Sequence, residues 1–143
     1  MAVELDNPFA WDKSADDGLA TIADLPRVVP CVDGGSVLDD SDPEHVKAEI
    51  KVKMGAMSMK FTGTVDVQEK DADAHKAVLV VKSREAGGQG HANATVTFDV
   101  KDGGGTIHTN AQITGKAASM GEGVVVGVLE ALIKDFTSKL QQL

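Results

Sequence analysis

Val46-Lys47-Ala48-Glu49-Ile50-Lys51-Val52-Lys53-Met54, then Gly55-Ala56, then Met57-Ser58-Met59-Lys60-Phe61 is the stretch on which the fold turns. Val46, Ala48, Ile50, Val52 and Met54 share one parity, and Lys47, Glu49, Lys51 and Lys53 the other. That is a strand with one dry face and one wet face. The parity then switches: Met57, Met59, Phe61, Val65 and Val67 are apolar, while Ser58, Lys60, Thr62, Thr64 and Asp66 are polar. A two-residue turn at Gly55-Ala56 accounts for the switch, because it sets Val52 against Met59 and Ile50 against Phe61. Glycine first in the loop suits a type II′ turn.

Toward the C-terminus, a polar loop Gln68 to His75 precedes a strand from Ala77 to Lys82. Ala92, Ala94, Val96, Phe98 and Val100 then alternate with His91, Asn93, Thr95, Thr97 and Asp99. A tight turn at Gly103-Gly104 predicts pairing of Val100 with Ile107, Phe98 with Thr109, Val96 with Ala111 and Ala94 with Ile113. His108 is then expected across from Asp99 on the wet side. After Gly115 the period changes. Met120, Val124, Val128, Leu132, Phe136 and Leu140 recur every fourth residue, predicting a helix over about residues 118–140, roughly 35 Å long.

Toward the N-terminus, Val3 and Leu5 suggest a short strand, and Ser14 caps a helix carrying Asp16 and Asp17 in its first turn. Pro26 breaks that helix, and a second short one is expected from Arg27 to Val32. Asp33-Gly34-Gly35 reads as a turn, Ser36-Val37-Leu38 as a short strand, and Asp39 to Pro43 as an acidic loop. Gly87-Gly88-Gln89-Gly90 reads as another turn. With no repeat and no linker, residues 1–143 make one α+β domain: a strand, two short helices, a run of antiparallel strands and one long helix.

Composition narrows the function. Lys+Arg number 14 and Asp+Glu 22, a net charge of -8, which argues against a broad nucleic-acid footprint. No window nears the ~18 apolar residues of a spanning helix. Met1-Ala2-Val3-Glu4-Leu5-Asp6 has no basic region or apolar core, so no signal peptide is expected. A single cysteine, Cys31, excludes an internal disulfide, and a cytoplasmic setting is expected. None of His45, His75, His91 and His108 has a second histidine at metal-site spacing, so a metal site is not expected. Gly121-Glu122-Gly123 through Gly127 is GxGxxxG outside a βαβ context, so it is not read as a dinucleotide loop. No serine lies in a GxSxG elbow, Cys31 reads as a small core residue, and no catalytic residue is nominated.

The interior is the unusual part. Dry-face positions include Ala48, Gly63, Ala77, Ala92, Ala94, Thr109 and Ala111, and aromatic residues are only 3% of the chain. A sheet lined with small residues around a long helix either packs closely, with Gly123 and Gly127 permitting approach, or leaves a hollow. Met54, Met57, Met59 and Met120 are the adaptable residues at hand.

Several motifs arrive together in one order. They are Leu25-Pro26-Arg27-Val28-Val29-Pro30-Cys31, Lys51-Val52-Lys53-Met54-Gly55, Asn93-Ala94-Thr95-Val96-Thr97 with Asp102-Gly103-Gly104-Gly105-Thr106, and Ile113-Thr114-Gly115-Lys116-Ala117 leading to Gly121-Glu122-Gly123. With them the chain resembles the carbon monoxide dehydrogenase CoxG family, within the START-like (SRPBCC) helix-grip superfamily. The resemblance implies a seven-stranded antiparallel sheet gripping the C-terminal helix around an apolar cavity. It also implies a partner, a molybdenum-containing CO dehydrogenase, and a part in that enzyme's membrane recruitment, with peripheral contact at the inner face of the membrane. The chain departs from the family in having Gly18 where a β-branched residue is usual, and Val32-Asp33-Gly34-Gly35 after Cys31 in place of Pro-Gly. Many members continue past the long helix into a Pro-rich linker and an amphipathic anchor; this sequence reads Gln141-Gln142-Leu143 there.

The expectation is a non-enzymatic protein that carries a lipophilic quinone such as menaquinone, with no covalently bound cofactor, no metal and no nucleic acid. The expected lining is Met57, Met59, Phe61, Ala94, Val96, Thr109, Ala111, Met120, Val124, Val128 and Leu132. The rival expectations are a protein adaptor with a filled core and a START-like cyclase or isomerase.

Overall fold

The computed structural model describes residues 1–88 and 90–143; Gln89, in one of the expected turns, lies outside them. Seven strands form one antiparallel sheet: β1 (Ala2–Ala10), β2 (Gly35–Asp42), β3 (His45–Met54), β4 (Met57–Asp71), β5 (Lys76–Glu85), β6 (His91–Lys101) and β7 (Gly104–Ile113). Their order is β1-β7-β6-β5-β4-β3-β2, a meander from β2 to β7 with β1 added beside β7. Helix α1 (Ala15–Ile22) and the single turn α2 (Leu25–Val28), extended by a 3-10 turn Val29–Cys31, follow β1. Helix α3 (Glu122–Leu140) closes the inner face. This is the helix-grip α+β architecture.

The β3–β4 hairpin has the expected register, with Val52 opposite Met59 and Ile50 opposite Phe61. Ser14 caps α1 as expected, its hydroxyl accepting from the Asp17 N–H at 3.1 Å; such a cap is worth about 1 kcal/mol. Pro26 sits in the first turn of α2, where its missing N–H costs nothing.

The β6–β7 hairpin differs from expectation by two residues. Lys101 pairs with Gly104, so the turn is Asp102-Gly103, and Phe98 faces Ile107, Val96 faces Thr109, Ala94 faces Ala111 and Ala92 faces Ile113. The expected pairs of Val100 with Ile107 and Phe98 with Thr109 do not form. Two residues is a full pleat, so every side chain keeps its face and the alternation pattern cannot detect the slip. His108 lies across from Thr97 and bonds Asp6 on β1, its Nδ1 2.6 Å from the carboxylate; it does not face Asp99.

Other boundaries differ as well. Strand β4 runs on through the expected polar loop to Asp71, past an irregularity between Val67 and Glu69. Strand β2 takes in the expected acidic loop, pairing Asp39 with Lys47 and Asp42 with His45 through two register shifts. Both belong to outer stretches where wet faces hide the alternation. Acidic side chains on β2 and Pro8 on β1 blunt the two free edges of the sheet.

The helix expected from residue 118 starts at Glu122. Ala118–Met120 is a separate 3-10 turn, and Gly121 at φ 97° redirects the chain between them. A side chain is disfavoured at that angle, which is why glycine stands there.

Candidate functional site: an apolar cavity and its open mouth

Between the inner face of the sheet and α3 lies a cavity of about 240 Å³. Its walls are Ile50, Phe61, Val65, Leu79, Val81, Val96, Phe98, Ile107 and Thr109 from the sheet. Leu25, Val28 and Val29 come from α2 and its extension, and Leu129, Leu132, Ile133 and Phe136 from α3. Gly63 also lines it, and a Cβ there would stand 1.8 Å from the Lys82 carbonyl oxygen. The missing side chain lets β4 and β5 bend tightly.

The cavity abuts a groove of about 910 Å³ between α3 and the β3–β4 hairpin. Leu132 belongs to both, and Val52 and Met59 continue the strands of Ile50 and Phe61. Gly123, Val124, Gly127, Val128 and Ala131 form the helical wall, and Lys51, Lys53 and Lys60 stand along the hairpin side. Lys60 lies 3.6 Å from Glu49. At the far end Asp135 pairs with Lys139 at 3.0 Å, a bond that raises the lysine pKa above its ordinary value. Nothing lies within 4 Å of where a Cβ would sit on Gly123 or Gly127, so these glycines face open space and are not points of close packing.

Four of the expected lining residues, Phe61, Val96, Thr109 and Leu132, meet in the cavity. Met59, Val124 and Val128 line the groove with Leu132. Ala94 and Ala111 face each other across β6 and β7 and pack with Val3, Ile113 and Val125, outside both linings. Met57 lies half-buried opposite Met54, near the hairpin turn. Met120 stands over that turn, its Cε 3.7 Å from where a Cβ on Gly55 would be.

The helical stripe explains part of this redistribution. Residues four apart on a helix are turned by about 400°, so the stripe drifts about 40° at each step, and Val124 ends about 160° from Leu140. Leu140 is fully buried, whereas Val124 is 40% exposed. The inward series is Val125, Leu129, Leu132, Phe136 and Leu140, with a mixed spacing of three and four; Val125, Phe136 and Leu140 are buried, and Leu129 and Leu132 half-buried. The α2 residues are lining that the sequence reading missed, although Leu25, Val28 and Val29 at helical spacing carried that signal.

The cavity is almost without polar groups. Among the described residues, Thr109 and Thr21 are the buried polar ones. The Ser83 hydroxyl donates to the Ala92 carbonyl at 2.5 Å. Glu49 touches the edge, with its carboxylate toward Lys60. Cys31 is buried beside the cavity wall; burial pushes its thiol pKa up, and its Sγ lies 3.5 Å from the Arg27 carbonyl oxygen. Among the described residues no three His, Cys, Asp or Glu side chains gather as a metal site, and no helix is long and apolar enough to cross a membrane.

Known proteins share this geometry. The family model for CoxG of carbon monoxide dehydrogenase matches residues 9–143. No curated protein sequence matches the chain. Among solved structures, a conserved protein of Geobacillus kaustophilus is similar at TM-score 0.77 and 20% identity, over 99% of this chain and 93% of that one. The ZhuI aromatase/cyclase of Streptomyces sp. R1128 is similar at TM-score 0.55 and 12% identity, over 99% and 90%. The StfQ di-domain aromatase/cyclase of the steffimycin pathway is similar at TM-score 0.60 and 14% identity, over 99% of this chain and 50% of that one. At these identities the structural likenesses establish the fold.

Proposed function

The chain belongs to the CoxG family of carbon monoxide dehydrogenase proteins, and from that premise we propose that it is a non-enzymatic carrier of a lipophilic quinone, of the menaquinone type, for a CO dehydrogenase. The observation that carries the proposal is a cavity with few polar side chains that meets, at Leu132, a groove with an apolar helical wall, both lined by α3 and the β3–β4 hairpin. A quinone tail dissolves in lipid and the dehydrogenase works in water, so transit needs a shield. Apolar burial at ~25 cal/mol/Å² favours such a chain in the groove over water. Small residues and a glycine-lined helix supply the space; methionines at its rim adapt to the guest.

The same lining supports binding over catalysis. Its polar side chains are the hydroxyls of Thr64, Ser83 and Thr109, none of which titrates in the range of general acid–base work, and at the edge Glu49, which lies 3.6 Å from Lys60. An adaptor with a filled core would have no use for the cavity. On this reading the protein works in the cytoplasm, with peripheral contact at the inner membrane face.

Thermal unfolding with quinones of increasing tail length tests the proposal. A ligand that binds only the folded state, at about 100 times its Kd, adds about 2.7 kcal/mol. For a chain of this size that raises Tm by roughly 5–10 °C. The rise should grow with the tail and ignore salt, since a neutral ligand makes no ion pair with the lysine rim. No shift, or one abolished by salt, overturns the carrier reading.

A further inference from the structure

We infer that the quinone enters ring first, with one of its carbonyls accepting a hydrogen bond from Thr109 and its tail leaving through the groove. This rests on the carrier reading above and adds to it a polarity, an orientation and a specificity-determining residue.

The first observation is an unspent donor. Thr109 is 7% exposed, faces inward beside Val96, and lines the cavity. Its hydroxyl makes no hydrogen bond to any of the described residues. Its oxygen is not fully enclosed, so a guest in the cavity can reach it and supply the partner. The Ser83 hydroxyl already donates to the Ala92 carbonyl, and the third hydroxyl of the wall belongs to Thr64, which is only half-buried. Thr109 is therefore the one buried residue that offers a ligand an unspent donor, and that donor is matched by a group that only accepts. A quinone carbonyl is such a group.

The second observation is size. A cavity of about 240 Å³ holds roughly eight water volumes. That is below the usual range for a drug-sized ligand, about 300–1,000 Å³. A compact ring fits, and a long isoprenoid does not. The remaining length is assigned to the groove that shares Leu132 with the cavity, along Met59 and Val128.

The test uses 2,3-dimethyl-1,4-naphthoquinone, whose ring positions open to thiol addition are blocked, against 2,3-dimethylnaphthalene, which has nearly the same shape and no carbonyl. Affinities are measured for the wild-type chain, Thr109→Val and Thr109→Ser. Thr109→Val should weaken the quinone about five-fold, the effect of one neutral hydrogen bond, and leave the hydrocarbon unchanged. Thr109→Ser should restore the preference. The carbonyl stretch of the bound quinone should fall in frequency in the wild type and return in Thr109→Val. If the wild type binds quinone and hydrocarbon alike, or if Thr109→Val binds quinone as the wild type does, the ring-first assignment is wrong while the carrier reading stands. If the wild type binds neither, the carrier reading falls and this inference with it.

Discussion

The two ends of α3 are built differently. At its C-terminal end Phe136 and Leu140 sink into a cluster with Phe9, Trp11, Leu19, Ile22, Leu25 and Phe98. Here three of the four phenylalanines meet the single tryptophan. Phe9 and Trp11 stand edge to face at 5.2 Å, and Phe98 lies 6.4 Å from Phe9 and 6.3 Å from Phe136. Even a methyl is excluded: a Cβ on Gly18 would meet the Trp11 ring at 2.6 Å, which gives a physical reason for glycine there. At the N-terminal end, Val124 is exposed and Gly123 and Gly127 face space. The few aromatic side chains are spent on holding one end of the helix. The other end is left with alanine, valine and methionine over a groove. A protein that must stay folded while admitting a guest can divide its interior in this way, because local stability need not be uniform.

Substitutions break the comparison in order of size. Phe98→Ala, at a side chain 1% exposed in the aromatic cluster, should cost about 3–5 kcal/mol in denaturant unfolding followed through Trp11. A cost below ~1 kcal/mol would mean that this end is loose as well. Gly127→Ala should act in the opposite direction. The added methyl meets nothing, and alanine is favoured over glycine inside a helix by about 1 kcal/mol, so unfolding should shift to higher denaturant. A loss of stability there would show that α3 already packs closely against the hairpin.

The smallest effect belongs to neither end and calibrates the other two. His45 hydrogen-bonds Asp66 and His108 hydrogen-bonds Asp6, and each bond raises the imidazole pKa above 6.5. A raised folded-state pKa gives stability that is fully present below the unfolded value and lost as pH rises through the folded one. Stability should therefore slip as pH rises above about 6.5, by a slightly larger amount in the wild type than in a His45→Gln, His108→Gln double variant. Equal slopes would remove these pairs from the account.

Much of this division was legible in the sequence, because periodicity reports faces. The alternation of Val46 to Phe61 specified a hairpin and its register, and the run of alanines on β6 and β7 pointed to a thin interior. Three things were hidden for physical reasons. A two-residue slip in the β6–β7 hairpin leaves every face unchanged, so only the turn geometry at Asp102-Gly103 decides it. A strict four-residue stripe drifts around a helix, which put Val124 inside by pattern and outside in the fold. And which small residues border a void depends on what packs around them: Ala94 and Ala111 pack with Val125 and its neighbours, whereas Gly63 lines the cavity.

The central claim is that the cavity and the groove that meets it at Leu132 receive the ligand, and the packed cluster around Leu19, Ile22 and Leu140 does not. Methyl NMR of the full chain titrated with a menaquinone in a mild detergent tests it most directly. The account predicts chemical-shift changes at Met59, Val96, Val128 and Leu132, with Leu19, Ile22 and Leu140 unmoved. Shifts centred on Leu19, Ile22 and Leu140, or no shifts at all at saturating quinone, would contradict it.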